Sequence, residues 1–284
     1  MWHLKHVPQT AHFYWGGGPL SYLRFLSVSS FKKQNPTWHV TVHMPIINST
    51  ALPTWATFQQ HNVNISKDFR DQLNTLDISI VTHNFNSYGF DNHAHEVHKS
   101  DFLRWKLLAD NGGLWSDIDI LYLRPMDDLA ENCEANSLID TVLCPLSPPK
   151  KHTVGFMLGS KDNAFYKQIH TLSLANYDKN SYQCMGSDLI NTQYPTIVSF
   201  NEQFPQHQFI FLNRHCVYAL TSKHVEQFYQ PITEDLNKKL NSQRVIGFHW
   251  FAGHPLSQEF ENRFTPETAS EYNNFLATVI QEQV

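Results

Sequence analysis

Residues 100–120 read SDFLRWKLLADNGGLWSDIDI, and the reading of this stretch decides the fold. Ser100 is a good N-cap residue and Asp101 suits a first helical turn, while Asn111, Gly112 and Gly113 tolerate the positive φ that ends a helix. The spacing predicts a helix over Lys99 to Asp110. Phe102, Leu103, Trp105, Leu107, Leu108 and Ala109 put apolar surface round most of its circumference, and Asp101 and Arg104, three residues apart, share its polar edge. After the glycines, Leu114 to Leu123 (LWSDIDILYL) has the aromatic and β-branched content of a short strand, in which residues i and i+2 point the same way. Asp117 and Asp119 are then expected to project together. Two carboxylates side by side repel unless a cation sits between them, and hard divalent cations such as Mg²⁺ or Mn²⁺ prefer oxygen ligands and keep positions free for phosphate. A lone D-x-D arises about once by chance in a chain this long, so the information lies in the combination of helix, glycine stop and paired acids.

The segments Ser100-Asp101-Phe102-Leu103-Arg104, Gly112-Gly113-Leu114-Trp115 and Asp117-Ile118-Asp119 resemble the S-D-x-x-R, G-G-x-Y and D-x-D signature of sugar-nucleotide-dependent glycosyltransferases of the DXD sugar-binding group. That group includes the mannosyl- and galactosyl-transferases of family 32 and, more distantly, the family 8 galactosyltransferases and the glucosylating clostridial toxins. Trp115 stands where the group usually has Tyr. His12-Phe13-Tyr14-Trp15-Gly16-Gly17 is similar to the I-H-F-x-W-x-G-G first strand and nucleotide loop of the same group. The resemblance implies an α/β GT-A fold with a C-terminal helical closure, a nucleotide-sugar-binding half over about 1–124 and an acceptor-binding half over about 125–284. It implies that Asp101 and Arg104 contact ribose or donor-sugar hydroxyls and the diphosphate, that Asp119 binds the metal, and that Asp117 holds ribose or sugar and reaches the metal through water.

Composition sets bounds on this reading. The chain has 284 residues and a formal net charge of -5 with histidines neutral, which fits one large domain and disfavours generic nucleic-acid binding. No run of 18 apolar residues exists and the opening MWHLKHVPQT lacks an apolar core, so the expected location is the cytosol, with peripheral attachment to a membrane as the second option. Cys133, Cys144, Cys184 and Cys216 are scattered without C-x-x-C and suit free buried thiols. Asn48 and Asn64 begin glycosylation sequons that are expected to be incidental.

Along the chain strands and helices alternate, the mark of α/β architecture. Strands are expected at His6–Trp15, Trp38–His43, Ile78–Thr82, Thr153–Leu158, Phe209–Phe211 and Val245–Trp250, and helices at Leu20–Lys33, Ser160–Ala175, Gly186–Gln193 and Pro266–Glu282. Met44 to Asn74 reads as irregular.

Each candidate site residue has a plain structural competitor. Trp15 is either a core tryptophan or, with Gly16 and Gly17 letting backbone and base approach, a stacking platform for uracil; Phe13 shares that nucleotide-binding strand. The third metal ligand is expected from His249, in a short apolar strand, which resembles the late histidine of families 8 and 32; His254 is its rival. Asp188, in Met185 to Asn191, resembles the D-Q-D-x-L-N segment of family 8 and competes with a role as a helix N-terminal acid. His93, His95 and His98 match the H-x-H-x-x-H spacing of binuclear metallohydrolases, but no aspartate precedes the third histidine, and the run enters the helix directly.

The expectation is therefore a retaining, metal-dependent hexosyltransferase using a UDP-sugar with Mn²⁺ or Mg²⁺. GDP-mannose is the alternative donor, and an inactive sugar-nucleotide-binding protein is the alternative of another class. Asp117, Asp119, Asp188 and Arg104 are the catalytic candidates, and Asp117, Asp119 and His249 the metal ligands. A saccharide or glycolipid acceptor is expected at Cys144–His152, Tyr182–Asn191 and Trp250–Pro255, with a protein side chain or a modified DNA base, approached through Lys150 and Lys151, as the second choice.

Overall fold

β1 (Thr10–Tyr14) divides its side chains between two cores, as strand alternation requires. Ala11 and Phe13 face one hydrophobic cluster with Val28 and Phe31 of α1 (Tyr22–Gln34), whereas Tyr14 joins a second cluster with Phe102 and Trp105 of α2 (Glu96–Asp110). The computed structural model describes residues 4–16, 18–46, 67–91, 94–131, 139–145, 152–241 and 245–283.

The remaining strands are β2 (His39–Pro45), β3 (Ser79–His83), β4 (Gly113–Ser116), β5 (Ile120–Tyr122), β6 (Thr141–Pro145), β7 (His152–Gly159), β8 (Phe209–Phe211) and β9 (Gly247–His249). Seven of them form one sheet in the order β3-β2-β1-β4-β7-β6-β8. Neighbours run parallel except at β7, which is antiparallel to both β4 and β6. β5 and β9 form a separate antiparallel pair. The further helices are α3 (Asp127–Glu131), α4 (Ala164–Ala175), α5 (Ser187–Gln193), α6 (Ile197–Gln203), α7 (Glu234–Leu240), α8 (Pro255–Arg263) and α9 (Phe275–Gln283). A third cluster joins Leu23 and Leu26 of α1 to Phe248 of β9, Phe260 of α8 and Phe275 to Ile280 of α9. The expected α/β architecture with a helical C-terminal closure is present.

Three local expectations change. α2 starts at Glu96 with His95 as its N-cap residue, so Ser100 lies inside the helix. The extra turn is held by buried polar contacts: the Tyr14 hydroxyl donates to Glu96 Oε2 at 2.5 Å and Lys99 Nζ donates to Glu96 Oε1 at 2.7 Å. The stretch 114–123 is not one strand, because the chain turns between β4 and β5 at Asp117 to Asp119. Asp117 N–H still donates to Gly155 O at 2.7 Å, after which β5 leaves the main sheet to pair with β9. Finally, the helix expected over Pro266–Glu282 is only a short 3₁₀ turn at Ala269–Glu271 followed by α9, and α8, absent from the expectation, precedes it. His254 caps α8 through Nδ1, which accepts from Leu256 N–H at 3.3 Å, and Pro255 occupies the first turn, where a missing N–H costs nothing.

Gly112 (φ 69°) and Gly113 (φ 88°) take the left-handed backbone expected of a helix stop, whereas Asn111 remains right-handed. A Cβ on Gly112 would meet Gly159 O at 2.6 Å, so conformation and space both require glycine there.

Candidate active site

Asp117 follows β4, Asp119 precedes β5, and His249 ends β9. The β5–β9 register sets Ile120 opposite His249, which carries the imidazole to Asp119. His249 Nε2 lies 3.1 Å from Asp119 Oδ1. Asp117, Asp119 and His249 each present a ligand atom within 4.8 Å of the others, and among the described residues this is the one such cluster of three. Two carboxylates and an imidazole, all partly exposed, are a donor set that suits Mn²⁺ or Mg²⁺ and leaves positions open for other ligands. His254, by contrast, is spent on capping α8.

The backbone around the trio is tightly tied. Trp250 N–H donates to Asp119 O and Ala252 N–H to Asp119 Oδ2, both at 2.9 Å, and Phe251 N–H donates to His249 Nδ1 at 3.1 Å. Phe251 takes φ 55°, a conformation unusual for a bulky residue, and the bend it makes returns Ala252 N–H to Asp119. Burial would raise the Asp119 pKa, but His249, Arg24 and the Ala252 N–H together hold it below the usual carboxylate range. Burial would likewise lower His249, and the facing Asp119 overrides it and raises the imidazole.

The polar edge of α2 adjoins this trio. Arg104 bridges two acids, with NH1 2.8 Å from Asp101 Oδ1 and NH2 3.1 Å from Asp117 Oδ1, and its guanidinium stands 5.1 Å from the Trp115 ring centre. Trp115 Nε1 also donates to Asp117 Oδ1 at 3.1 Å, so a tryptophan in place of tyrosine still orients the first acid. Asp101 is buried and its carboxyl is pushed up to about 7, by burial first and then by Asp117, against the pull of Arg104. Asp101 Oδ2 and Arg104 Nε are buried without a hydrogen-bond partner, which costs free energy unless a ligand satisfies them.

Sequence reasoning missed several supports of this arrangement. A Cβ on Gly155 of β7 would lie 2.6 Å from Asp117 Oδ2 and 2.8 Å from the Tyr218 hydroxyl, and one on Gly186 would lie 2.5 Å from Asp101 Oδ2. Tyr218 also packs on the His249 ring, centres 5.3 Å apart. Burial, then Asp101, Asp117 and Asp119, raise the Tyr182 hydroxyl, so Tyr182 is within electrostatic reach of all three acids. Tyr182 and Gly186 fall in the expected acceptor segment Tyr182–Asn191, though not as neighbours of the acids, whereas no local pattern marks Gly155 or Tyr218, whose role arises from contacts between segments distant in sequence.

Other expected site residues lie elsewhere. Phe13 is fully buried against Phe31; its side chain belongs to the core and does not touch a nucleotide, because strand alternation turns it toward α1. Trp15 is 6% exposed and also packs in that core. Its Nε1 donates to Gly18 O at 2.8 Å, and the Arg24 guanidinium covers one face at 4.6 Å, so the ring is not an open platform. Gly16 abuts Glu96, which a Cβ would meet at 2.5 Å. Gly17, Asn48, Asn64, His93, Cys133, Lys150 and Lys151 lie outside the described residues. Asp188 is exposed in the first turn of α5, where a carboxylate complements the helix N-terminus. Asn191 pairs with the His152 backbone, donating to its carbonyl and accepting from its N–H. His152 and Trp250 are buried, so of the expected acceptor surface those two side chains are core. His95 stands at the N-cap position of α2 without a side-chain capping bond, and His98 Nε2 bonds Ser181 O at 3.0 Å; neither joins a cluster of three metal-ligand side chains among the described residues, which leaves the metallohydrolase reading without support there.

Residues 25–136 match the family model described as a glycosyltransferase sugar-binding region containing the DXD motif. That segment is similar to the DXD sugar-binding region of glycosyltransferases. The structure is similar to PaToxG glycosyltransferase, with a TM-score of 0.50 at 13% identity over 97% of this chain and 87% of that one. Mouse xyloside xylosyltransferase 1 in its apo form follows, with a TM-score of 0.46 at 10% identity over 88% of this chain and 99% of that one. A glycosyltransferase involved in glycosylation of the major capsid of PBCV-1 gives a TM-score of 0.44 at 10% identity over 89% of this chain and 99% of that one. No curated protein sequence matches the chain. At such identity the likeness to PaToxG speaks for the fold, which is of the GT-A type. In the DXD region, Asp117 and Asp119 are the two acids of the motif. No helix among the described residues is long and apolar enough to cross a membrane.

Proposed function

We propose that the protein is a metal-dependent glycosyltransferase that moves a hexose from a UDP-sugar to an acceptor hydroxyl with retention of configuration. The observation that carries this reading is the convergence of both DXD acids with His249, a residue 130 positions away (249 − 119). Asp117, Asp119 and His249 would hold Mn²⁺ or Mg²⁺, which when bound supplies positive charge to the diphosphate leaving group. Arg104 is a fixed cation on the same side, and its buried neighbours keep it oriented before the donor arrives, the condition under which electrostatic stabilisation is strongest. Asp101, with an unpaired buried oxygen and a pKa near neutrality, is suited to bind a sugar or ribose hydroxyl as acceptor or as donor. The N-terminal half thus supplies the donor contacts and the C-terminal half supplies His249 and Tyr182, with the acceptor entering on the Tyr182 side.

Retention follows from the resemblance to families 8 and 32. The exposed position of Asp188 favours a helix-terminal role over a nucleophilic one, which leaves a front-face displacement without a covalent intermediate. A saccharide or glycolipid acceptor fits best; UDP is the first choice of donor nucleotide and GDP the second, since nothing in the first strand decides between them.

The test is hydrolysis and transfer of labelled UDP-hexoses and GDP-mannose, with Mn²⁺, with Mg²⁺ and with chelator, over oligosaccharide, glycolipid, protein and hydroxymethylated-DNA acceptors. Metal-dependent release of UDP supports the reading. Absence of turnover with every donor in Mn²⁺, while the protein is folded, overturns it. Proton NMR of the first product bond reads the anomeric configuration.

A further inference from the structure

Arg24, in the first turn of α1, stands between two indoles, its guanidinium carbon 4.6 Å from the Trp15 ring centre and 5.6 Å from that of Trp250. Its Nε donates to Glu261 Oε1 at 2.6 Å, and the Ser21 hydroxyl donates to the same oxygen at 2.7 Å. One terminal nitrogen stands 3.5 Å from Glu261 Oε2. The Glu261 side chain is 1% exposed, whereas that of Arg24 retains 14%. The guanidinium is thus anchored through Nε and stacked on aromatic rings, while its terminal N–H groups sit at a partly open edge. Trp250 ties this group to the DXD turn, since its N–H donates to Asp119 O.

A buried ion pair is a poor way to gain stability, because desolvation consumes most of the attraction. It is a good way to fix a cation in place without adding net charge. A planar guanidinium, even with one terminal nitrogen turned to Glu261, matches phosphate oxygens better than any other side chain. We propose that Arg24 is a diphosphate-binding residue of the donor site, held by Glu261, Trp15 and Trp250 so that it grips the nucleotide phosphates beside the Asp117, Asp119 and His249 trio. The proposal rests on the nucleotide-sugar reading above.

The competing account is a latch that only joins α1 to α8. Arg24→Met alone would leave Glu261 buried and unpaired, so the test uses Arg24→Met/Glu261→Gln, with Arg24→Lys as the variant that keeps the charge. UDP and uridine binding are measured by calorimetry in Mn²⁺ on the full chain, with far-UV circular dichroism to establish folding. The expected result is a loss of about ten- to a hundredfold in UDP affinity for the double variant, the size of one or two charge-assisted hydrogen bonds. Uridine affinity should not change, and Arg24→Lys should recover part of the UDP loss. Unchanged UDP affinity in either folded variant overturns the assignment, as does an equal loss for UDP and uridine, the mark of a latch. Should the unaltered protein bind neither UDP nor GDP in Mn²⁺, the donor reading itself fails, and that result is read before any variant is made.

Discussion

Asp119 accepts the Ala252 N–H through one carboxylate oxygen and faces His249 through the other. Removing its charge while keeping its shape therefore separates function from folding. Asp119→Asn retains an oxygen for Ala252 N–H, so the variant is expected to stay folded. Activity at saturating Mn²⁺ should fall by about 10²-fold or more, the scale of losing a main electrostatic contact in a water-poor site. Retention of most activity by a folded Asp119→Asn protein would remove the trio from the mechanism. Trp15 leads to the opposite expectation. Its ring lies in the core, and truncation of a buried tryptophan costs about 3–5 kcal/mol. Trp15→Ala should thus lower the urea midpoint strongly, while Trp15→Phe, which keeps an aromatic face for Arg24, should restore most of it. If Trp15→Ala instead leaves the midpoint unchanged and weakens uridine as much as UDP, the ring stacks on the base after all.

At the scale of elements, the site depends on β7 leaving room for β4. Gly155 is placed so that a methyl group would strike Asp117 Oδ2 at 2.6 Å and the Tyr218 hydroxyl at 2.8 Å. Gly155→Ala is expected to move Asp117 and to weaken Mn²⁺ binding by roughly tenfold, about 1.4 kcal/mol, with a smaller effect on thermal stability; manganese titration by electron paramagnetic resonance measures it, and unaltered affinity would show that Asp117 gives way freely. Nothing in the sequence around Gly155 announces this duty, and the reason is general. The helix carrying Asp101 and Arg104, the glycine stop and the DXD acids were legible because propensity, periodicity and spacing all act within some twenty residues. Phe209–Phe211 was legible to the residue because its aromatic and β-branched run (Phe-Ile-Phe) suits a strand. Where expectation failed, a distant partner decided: Glu96 extends α2 because Tyr14 on β1 binds it, and the DXD turn breaks the strand because β9 takes up β5. β6, fully buried between β7 and β8, reads as a short run among prolines. His249 was found as a residue, yet its tie to Asp119 and the bend at Phe251 needed the fold.

Across β1, β2 and β3, at one side of the sheet, runs a chain of three imidazoles, and it bears on how the molecule meets acid. His12 Nε2 stands 3.3 Å from Gly112 O, His12 Nδ1 3.1 Å from His43 Nε2, and His43 Nδ1 2.9 Å from His83 Nε2. A carbonyl only accepts, so His12 donates through Nε2 and must accept through Nδ1; the same assignment then passes to His43 and His83, giving one tautomer for all three. A proton added to His12 or His43 sets two donors face to face, whereas one added to His83 goes to the Nδ1 outside the chain. Burial lowers His12 from 6.5 to about 4, opposed by the bond to Gly112 O and aided by His39, and burial, then His12 and His83, lower His43 further. Burial and Lys106 lower His83 as well. Each folded pKa lies below its unfolded value, so the unfolded chain takes up protons that the folded protein refuses. The stability contributed is complete above about pH 6.5 and is lost as pH falls from there toward 4 and below. Asp101 acts in the opposite sense, since its raised pKa lets the folded state bind a proton first between about 7 and its ordinary 3.8, and the buried Glu96 adds to it. The three imidazoles, together with His98, His152, His170 and His207, which burial also lowers, outweigh the two carboxyls and the raised His249, and each unopposed one contributes a slope of up to about 1.4 kcal/mol per pH unit. Urea denaturation at pH 7.5, 6 and 5 should therefore show stability falling with acid, and His43→Gln, which keeps a donor and an acceptor but does not titrate, should flatten that fall by about one proton. An identical pH dependence in His43→Gln would mean that the imidazole chain is not what acid attacks.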